Sequence, residues 1–322
     1  MTSPKILIVG ANGQIGTELA EALAEQHGDD AVVTSDLAPT GRVERLAHEA
    51  LDVTDAAALA AVVSRHRIDR IVLLAAALSA NGEKHPQWAW NLNMGGLLNV
   101  LELARTAKLQ QVFWPSSIAA FGPTTPATAT QATVMDPTTV YGISKLAGER
   151  WCAWYHANHG VDVRSLRYPG LISWKTPPGG GTTDYAVEIF HAALQDARYT
   201  AFLRADTRLP MMYMPDAIRA TIELMDAPSA RIRERGSYNL AGVSFTPREI
   251  ADEIGRHVAG FALHCEPDFR QAIADSWPQV IDDAKARADW GWRAQFDLPA
   301  MVRDMLHHLG RARAAAVAAR AR

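Results

Sequence analysis

The sequence predicts an α/β chain built on a doubly wound parallel sheet, with a smaller mixed α/β region attached on its C-terminal side. Three observations predict it. Up to Arg167, short and continuously apolar runs alternate with longer segments of helical periodicity. Runs of that kind are buried on both faces, which requires a parallel sheet covered by helices on each side. The first run ends in a glycine-rich turn that opens a helix, and after Arg167 the alternation loosens.

Taken in order, residues 5–9 read as a first strand and 14–26 as a helix whose apolar face carries Ile15, Leu19, Ala22 and Leu23. Residues 31–35 read as a second strand, followed by a loop through Pro39 and Gly41. Thr54 and Asp55 cap a helix over 56–65. A third strand over 71–75, a long helix over 87–107, a fourth strand over 112–116, a helix over 140–159 and a strand over 161–167 complete the regular part. Residues 173–184 read as a loop with two prolines and three consecutive glycines. Beyond it come a strand at 209–214, a helix at 216–225, a strand at 237–241 and a helix opened by Thr246-Pro247. The expected division is a dinucleotide domain of residues 1–168 and 211–243, a substrate region of 169–210 and 244–310, and over 311–322 a flexible tail, whose alternating Arg and Ala read as a frayed helix or a solvated segment.

Composition excludes several function classes. The 322 residues are 48% hydrophobic and 21% charged, ordinary for a globular protein of one large or two modest domains. A net charge of -3 gives no long-range attraction for nucleic acid. No run of eighteen apolar residues spans a membrane, and the start lacks the pattern of a signal peptide. Cys152 and Cys265 form no C-x-x-C pair, so neither a disulfide framework nor a structural zinc is expected, and Cys152 beside Trp151 reads as a core residue. The expected compartment is a reducing cytoplasm. No metal is expected, because the eleven histidines show no H-x-x-x-H spacing.

The turn Gly10-Ala11-Asn12-Gly13-Gln14-Ile15-Gly16 follows the first strand. Its glycines permit a tight turn and close approach of a pyrophosphate to the N–H groups of the helix start. Asp36 ends the second strand, where a carboxylate accepts from both ribose hydroxyls and repels a 2'-phosphate, favouring NAD over NADP. Arg42, further on, is a candidate phosphate partner that argues the other way. Asp52-Val53 precedes the next helix and reads either as an adenine contact or, for Asp52, as a loop acid or cap.

Tyr141 and Lys145 form a Y-x-x-x-K pair on one helix face. A phenol of pKa about 10 is a poor base near neutrality. A neighbouring ammonium, the positive end of a helix that starts shortly after Pro137 and a cationic nicotinamide all favour its phenolate. Bringing it close to neutrality takes ~4 kcal/mol of differential stabilisation. Trp114-Pro115-Ser116-Ser117 ends the fourth strand at the edge that lines the cleft, and Ser117 is preferred over Ser116 as partner of the reacting oxygen. In this chemistry Tyr141 takes a hydroxyl proton while hydride leaves the same carbon for the nicotinamide.

Together these residues resemble the short-chain dehydrogenase/reductase superfamily, in its extended branch of nucleotide-sugar epimerases and dehydratases, which implies a Rossmann domain. The likeness runs from Ile6 to about Leu309. It matches Asn93 to the family's asparagine on the central helix and Tyr168-Pro169 to its nicotinamide-side loop, and it adds Leu74, Ala75 and Ala76 to the cofactor set. The runs FWPSSIA (113–119), RYPGLISW (167–174), PPGGGTTDYA (177–186) and LPMMYM (209–214) look like the short-chain family of L-threonine 3-dehydrogenases. That resemblance implies oxidation of a β-hydroxyl with NAD as acceptor, Ser117, Tyr141 and Lys145 as catalytic residues, and Ser79, Gly181, Thr182 and Asp184 on the substrate. Thr182 and Asp184 also suit a helix cap, since a helix follows them, and Ser79 also reads as a loop serine. The glycine run suits a loop that closes over bound ligands. The superfamily implies a homodimer through the helices at 87–107 and 140–159. Two rival readings stand beside it: a nucleotide-sugar epimerase or dehydratase with Arg204, Arg208 and Arg219 near a diphosphate, and a dinucleotide sensor without catalysis.

Overall fold

The computed structural model describes residues 3–176 and 181–320, with the backbone alone at 79–81 and 317–320. The chain begins with β1 (Ile6–Val9), α1 (Gln14–His27), β2 (Val32–Asp36), β3 (Ala47–Ala50), α2 (Ala56–His66) and β4 (Arg70–Leu73). Three helices follow, α3 (Ser79–Lys84), α4 (Pro86–Trp90) and α5 (Gly96–Thr106), the last two joined by a wide helical turn over Asn91–Gly95. Next come β5 (Gln111–Phe113), β6 (Ser116–Ser117), β7 (Thr128–Ala129), α6 (Val140–His159), β8 (Val163–Arg164), β9 (Leu166–Tyr168) and β10 (Gly170–Ile172). The remainder runs α7 (Tyr185–Asp196), β11 (Arg198–Ala201), β12 (Leu209–Tyr213), α8 (Met214–Asp226), β13 (Tyr238–Asn239), β14 (Val243–Phe245), α9 (Pro247–Gly255), β15 (Ala262–Cys265), α10 (Arg270–Asp275), β16 (Val280–Ile281), α11 (Ala284–Trp290) and α12 (Leu298–Arg320).

β1, β2, β3, β4, β5 and β8 make one parallel sheet in the order β3-β2-β1-β4-β5-β8. Its apolar strands bury both faces. Ile6 and Ile8 face Leu19 and Leu23 of α1 and Ala217 and Leu224 of α8, whereas Leu7 and Val9 face Leu59 and Val63 of α2 and Leu97 and Leu101 of α5. A third core, with Tyr185, Phe190, Phe245, Ile250 and Met305, holds the smaller C-terminal part together. The sheet order reverses at β1, so β1 and β4 diverge at their carboxyl ends and open a crevice there.

Three departures from the sequence expectation have local causes. β3 went unforeseen because it is a half-exposed edge strand of sequence AHEA, without an apolar run. The single strand expected over 161–167 is two, for the chain bends at Ser165 and transfers from β5 to pairing with β6 and β13. The expected 87–107 helix is interrupted by the wide turn that carries Asn93. Residues 311–320 continue α12, the helical of the two readings open for that stretch.

Candidate active site

At the crevice Gly10 adopts φ +84°, and a Cβ there would lie 2.5 Å from the Ala75 nitrogen. Only glycine lets this turn pass so close to the end of β4. The turn residues Gly10, Asn12, Gly13, Gln14, Ile15 and Gly16 line a cleft of about 450 Å³, with Leu74 and Ala76 opposite. Asp36 stands beside the turn, its Oδ2 accepting the Asn12 N–H at 3.1 Å. The same asparagine's Oδ1 accepts from the Arg42 N–H at 2.9 Å, and Arg42 lines the cleft as well. Ala75 supports the turn from behind. Asp52 is exposed and accepts from the Thr54 N–H and hydroxyl, while buried Val53 packs against Gly96. Asn93 is buried, bound to Ala77 through both its N–H and C=O groups and to the Ser144 hydroxyl, so it joins the β4 loop to α6.

α6 carries Tyr141 and Lys145. Thr139 caps it by accepting from the Gly142 N–H, and the Glu83 carboxylate accepts from the Val140 N–H at 2.7 Å. Gly142 lets the helix press onto the chain after β6, since a Cβ there would meet the Ala119 oxygen at 2.1 Å. Tyr141 and Lys145 then line the same cleft as Ser117. The Lys145 Nζ lies 5.3 Å from the centre of the Tyr141 ring and 4.6 Å from that of Trp114, and donates to the Pro115 carbonyl at 2.6 Å.

Sequence reasoning expected positive charge to lower the Tyr141 phenol. In the chain alone the balance differs. Burial pushes Tyr141 up to about 12, against a hydrogen bond with the Ser117 side chain that favours the phenolate. Burial pushes Lys145 down to about 7, against the Glu149 carboxylate, which holds it up. Desolvation opposes both charged forms, and the chain's own positive charge does not overcome it for the phenol.

Ser117 was chosen over Ser116, and the structure gives the physical distinction: the buried Ser116 hydroxyl donates to Glu149 at 2.6 Å, whereas the half-buried Ser117 hydroxyl faces Tyr141. Gly181, Thr182 and Asp184 line the cleft from the other wall. Asp184 flanks α7 but makes no side-chain cap; its Oδ2 accepts from the Gly181 N–H at 2.6 Å. Tyr168 turns its ring into the core beside Phe113 and its hydroxyl to Thr221, while Pro169 continues the cleft wall. Ser79 opens α3, and its side chain lies outside the described residues, as do Pro177, Pro178, Gly179 and Gly180. Trp277, which sequence reasoning missed, closes the wall from the C-terminal part. It sits just beyond a six-residue helix, in the least periodic stretch of the chain, where no local pattern marks it.

Residues 6–241 match the NAD dependent epimerase/dehydratase family. The chain belongs to that family. Its members use NAD, and the glycine turn that any Cβ would obstruct, with Asp36 beside it, fits that cofactor. An uncharacterized epimerase/dehydratase of Staphylococcus haemolyticus is 49% identical over 307 residues, covering 94% of this chain and 96% of that one. Among solved structures, a GalE-like L-threonine dehydrogenase from Cupriavidus necator in its holo form is 70% identical with a TM-score of 0.94, covering 95% of this chain and all of that one. A metagenomic L-threonine 3-dehydrogenase described as monomeric is 46% identical with a TM-score of 0.91, covering 95% and 99%. The epimerase/dehydratase family thus supplies an NAD-dependent enzyme scaffold, and in this chain Ser117, Tyr141 and Lys145 line one cleft with the glycine turn.

Proposed function

We propose that this enzyme oxidises L-threonine at its β-carbon to L-2-amino-3-oxobutyrate with NAD as hydride acceptor, a step of threonine catabolism towards glycine or aminoacetone. One observation carries the reading: Ser117, Tyr141 and Lys145 share a cleft with Thr182 and Asp184, polar groups suited to an amino acid. The 70% identity to the Cupriavidus necator threonine dehydrogenase supports it. Bound NAD would lie along Gly10–Gly16, Asp36 and Leu74–Ala76, reach towards Pro169, and supply the hydride acceptor.

The chain's own residues do the rest. The Tyr141 hydroxyl, as phenolate, takes the proton of the substrate hydroxyl, with the Lys145 ammonium holding the charge and Ser117 holding the oxygen that becomes a carbonyl. The Asp184 carboxylate pairs with the substrate ammonium and the Thr182 hydroxyl meets its carboxylate. Gly181 belongs to the same substrate wall, its N–H donating to the Asp184 carboxylate at 2.6 Å. In the same reading Asp52 and Val53 border the adenine, Asn93 fixes Ala77 beneath the nicotinamide, and Ser79 joins the substrate set.

The division into dinucleotide and substrate parts, a metal-free mechanism, a homodimer and a cytoplasmic location belong to this proposal. Chelation is expected to leave activity intact, and activity lost on chelation and restored by zinc would overturn the metal-free mechanism. The nucleotide-sugar reading is disfavoured by the three arginines it needs: Arg204 is tied to Asp275, Arg208 to Glu249, and Arg219 to Asp216 and Glu223. NADH formation measured against L-threonine, L-allo-threonine, L-serine and UDP-sugars tests the assignment. Net NADH with L-threonine is the expected result; sugar conversion without net NADH would overturn it.

A further inference from the structure

Beneath the reacting pair lies a buried ion pair that the chemistry above does not use. Glu149 follows Lys145 by one turn of α6, and Arg167 lies in β9; they are 1% and 4% exposed. The guanidinium grips the carboxylate with both ends, Nε to Oε1 and Nη2 to Oε2, each at 2.8 Å. Its remaining arm donates to Asn239 Oδ1 at 2.8 Å, and that side chain in turn donates to the Ala129 and Asp282 carbonyls. Glu149 Oε1 also accepts the Ser116 hydroxyl at 2.6 Å. Ser116 sits between the Pro115 carbonyl that holds the Lys145 ammonium and the Ser117 side chain that meets Tyr141.

We infer that Glu149 and Arg167 are positioning residues for the reaction: they fix the strand end that carries Pro115 and Ser117, and they set the charge felt by Lys145. Burying two charges is costly, and an apolar or neutral pair of similar volume would join α6 to β9 without that penalty. A carboxylate one turn from a buried ammonium on the same helix face favours its charged form. Arg167 opposes this from the far side of the carboxylate and limits how strongly the ammonium is held.

Few other charges face Lys145. On α6 these are Tyr141 and the Cys152 thiol, which burial keeps protonated. α3 brings Glu83 to the start of α6. β8 brings Arg164, which is committed to Asp162 and to the carbonyls of Leu224 and Ala227 at the C-terminal end of α8. β6 and the stretch 91–100 packed on α6 carry no ionisable side chain.

The two charges therefore act on Lys145 with opposite signs, which a purely structural clamp does not do. This rests on the reading of Tyr141 and Lys145 as the reacting pair, yet its test needs no substrate. The chain has six lysines, so reductive methylation with ¹³C-formaldehyde gives few signals, and the Lys145 resonance can be followed against pH by NMR. Glu149→Gln is expected to move its midpoint down by about one pH unit, leaving roughly tenfold less ammonium at higher pH, and Arg167→Gln to move it up. With L-threonine the Glu149→Gln enzyme should lose at least about tenfold in kcat near neutral pH while NAD affinity, read by fluorescence, changes less than about threefold. Midpoints that stay put, or move the same way in both variants, overturn the inference. Should the single variants not fold, the neutral pair Glu149→Gln/Arg167→Gln decides through the same resonance: the carboxylate is the nearer of the two charges, so the Lys145 midpoint should still fall, by less than about one unit, and a midpoint that stays put or rises overturns the inference. A parent that makes no NADH from threonine would fail the substrate assignment alone, because the Lys145 midpoints are read regardless.

Discussion

At the scale of single residues, the site is a contest between burial and charge. In the proposed reaction Tyr141 must give up its proton, and burial holds that proton on. Tyr141→Phe is therefore expected to lower kcat by about 10²- to 10⁴-fold with NAD affinity unchanged, read by steady-state kinetics beside a binding titration. Lys145 makes a second prediction through stability. Its folded pKa of about 7 is below the ordinary 10.5, so between those values the unfolded chain holds more protons than the folded one. Stability contributed by this group consequently rises with pH across that window, by an upper bound of about 5 kcal/mol. Lys145→Met should flatten that rise in denaturant unfolding followed from pH 7 to 10, and should also abolish turnover; a parent and variant with the same slope would contradict the assigned burial. Tyr141, Lys145 and Gly10 were legible because their chemistry is written in short spacings. Glu149, Arg167 and Trp277 were not, since they meet the site only through β9, α6 and the C-terminal part, 18 to more than 100 residues apart in the chain.

At the scale of elements, α6 transmits the fold to the chemistry. Its start is fixed by Thr139 and Glu83, and its depth by Gly142 against Ala119. Gly142→Ala puts a methyl where a carbonyl oxygen lies 2.1 Å away, so helix or strand must retreat. The expected cost is about 1–3 kcal/mol of stability. Because Tyr141 precedes the displaced residue, kcat should fall by a larger factor than the KM for NAD rises; equal change in both would show that the helix recovers its place. The 140–159 helix was readable to the residue, for its cap, apolar face and closing Gly160 all agree. The bend at Ser165 and the interrupted α5 were not, because pairing with distant β13 and the wide turn at Asn93 leave no local periodic mark.

At the scale of the whole molecule, α6 has a second face that the monomer does not use. At 100° per residue Tyr141, Lys145, Gly148 and Cys152 point inward, while Ile143 and Trp154 fall on the opposite side and Trp151 on the flank beside them. Those three side chains are 45%, 39% and 45% exposed, and Trp88 on neighbouring α4 is 52% exposed. A T-shaped aromatic pair, Trp151 and Trp154 with ring centres 5.6 Å apart, is costly to leave against water. Each indole hides roughly 150–250 Å² when covered, enough for this stripe and its two-fold mate to anchor an isologous interface. The homodimer proposed above is thus expected to use this face, and the double substitution Trp151→Lys/Trp154→Lys to convert it to monomer by light scattering. The inward face is untouched by that change, so NAD binding should survive while thermal stability becomes independent of protein concentration. A parent that is already monomeric, as one relative is described, would remove the interface and leave the tryptophan stripe as surface.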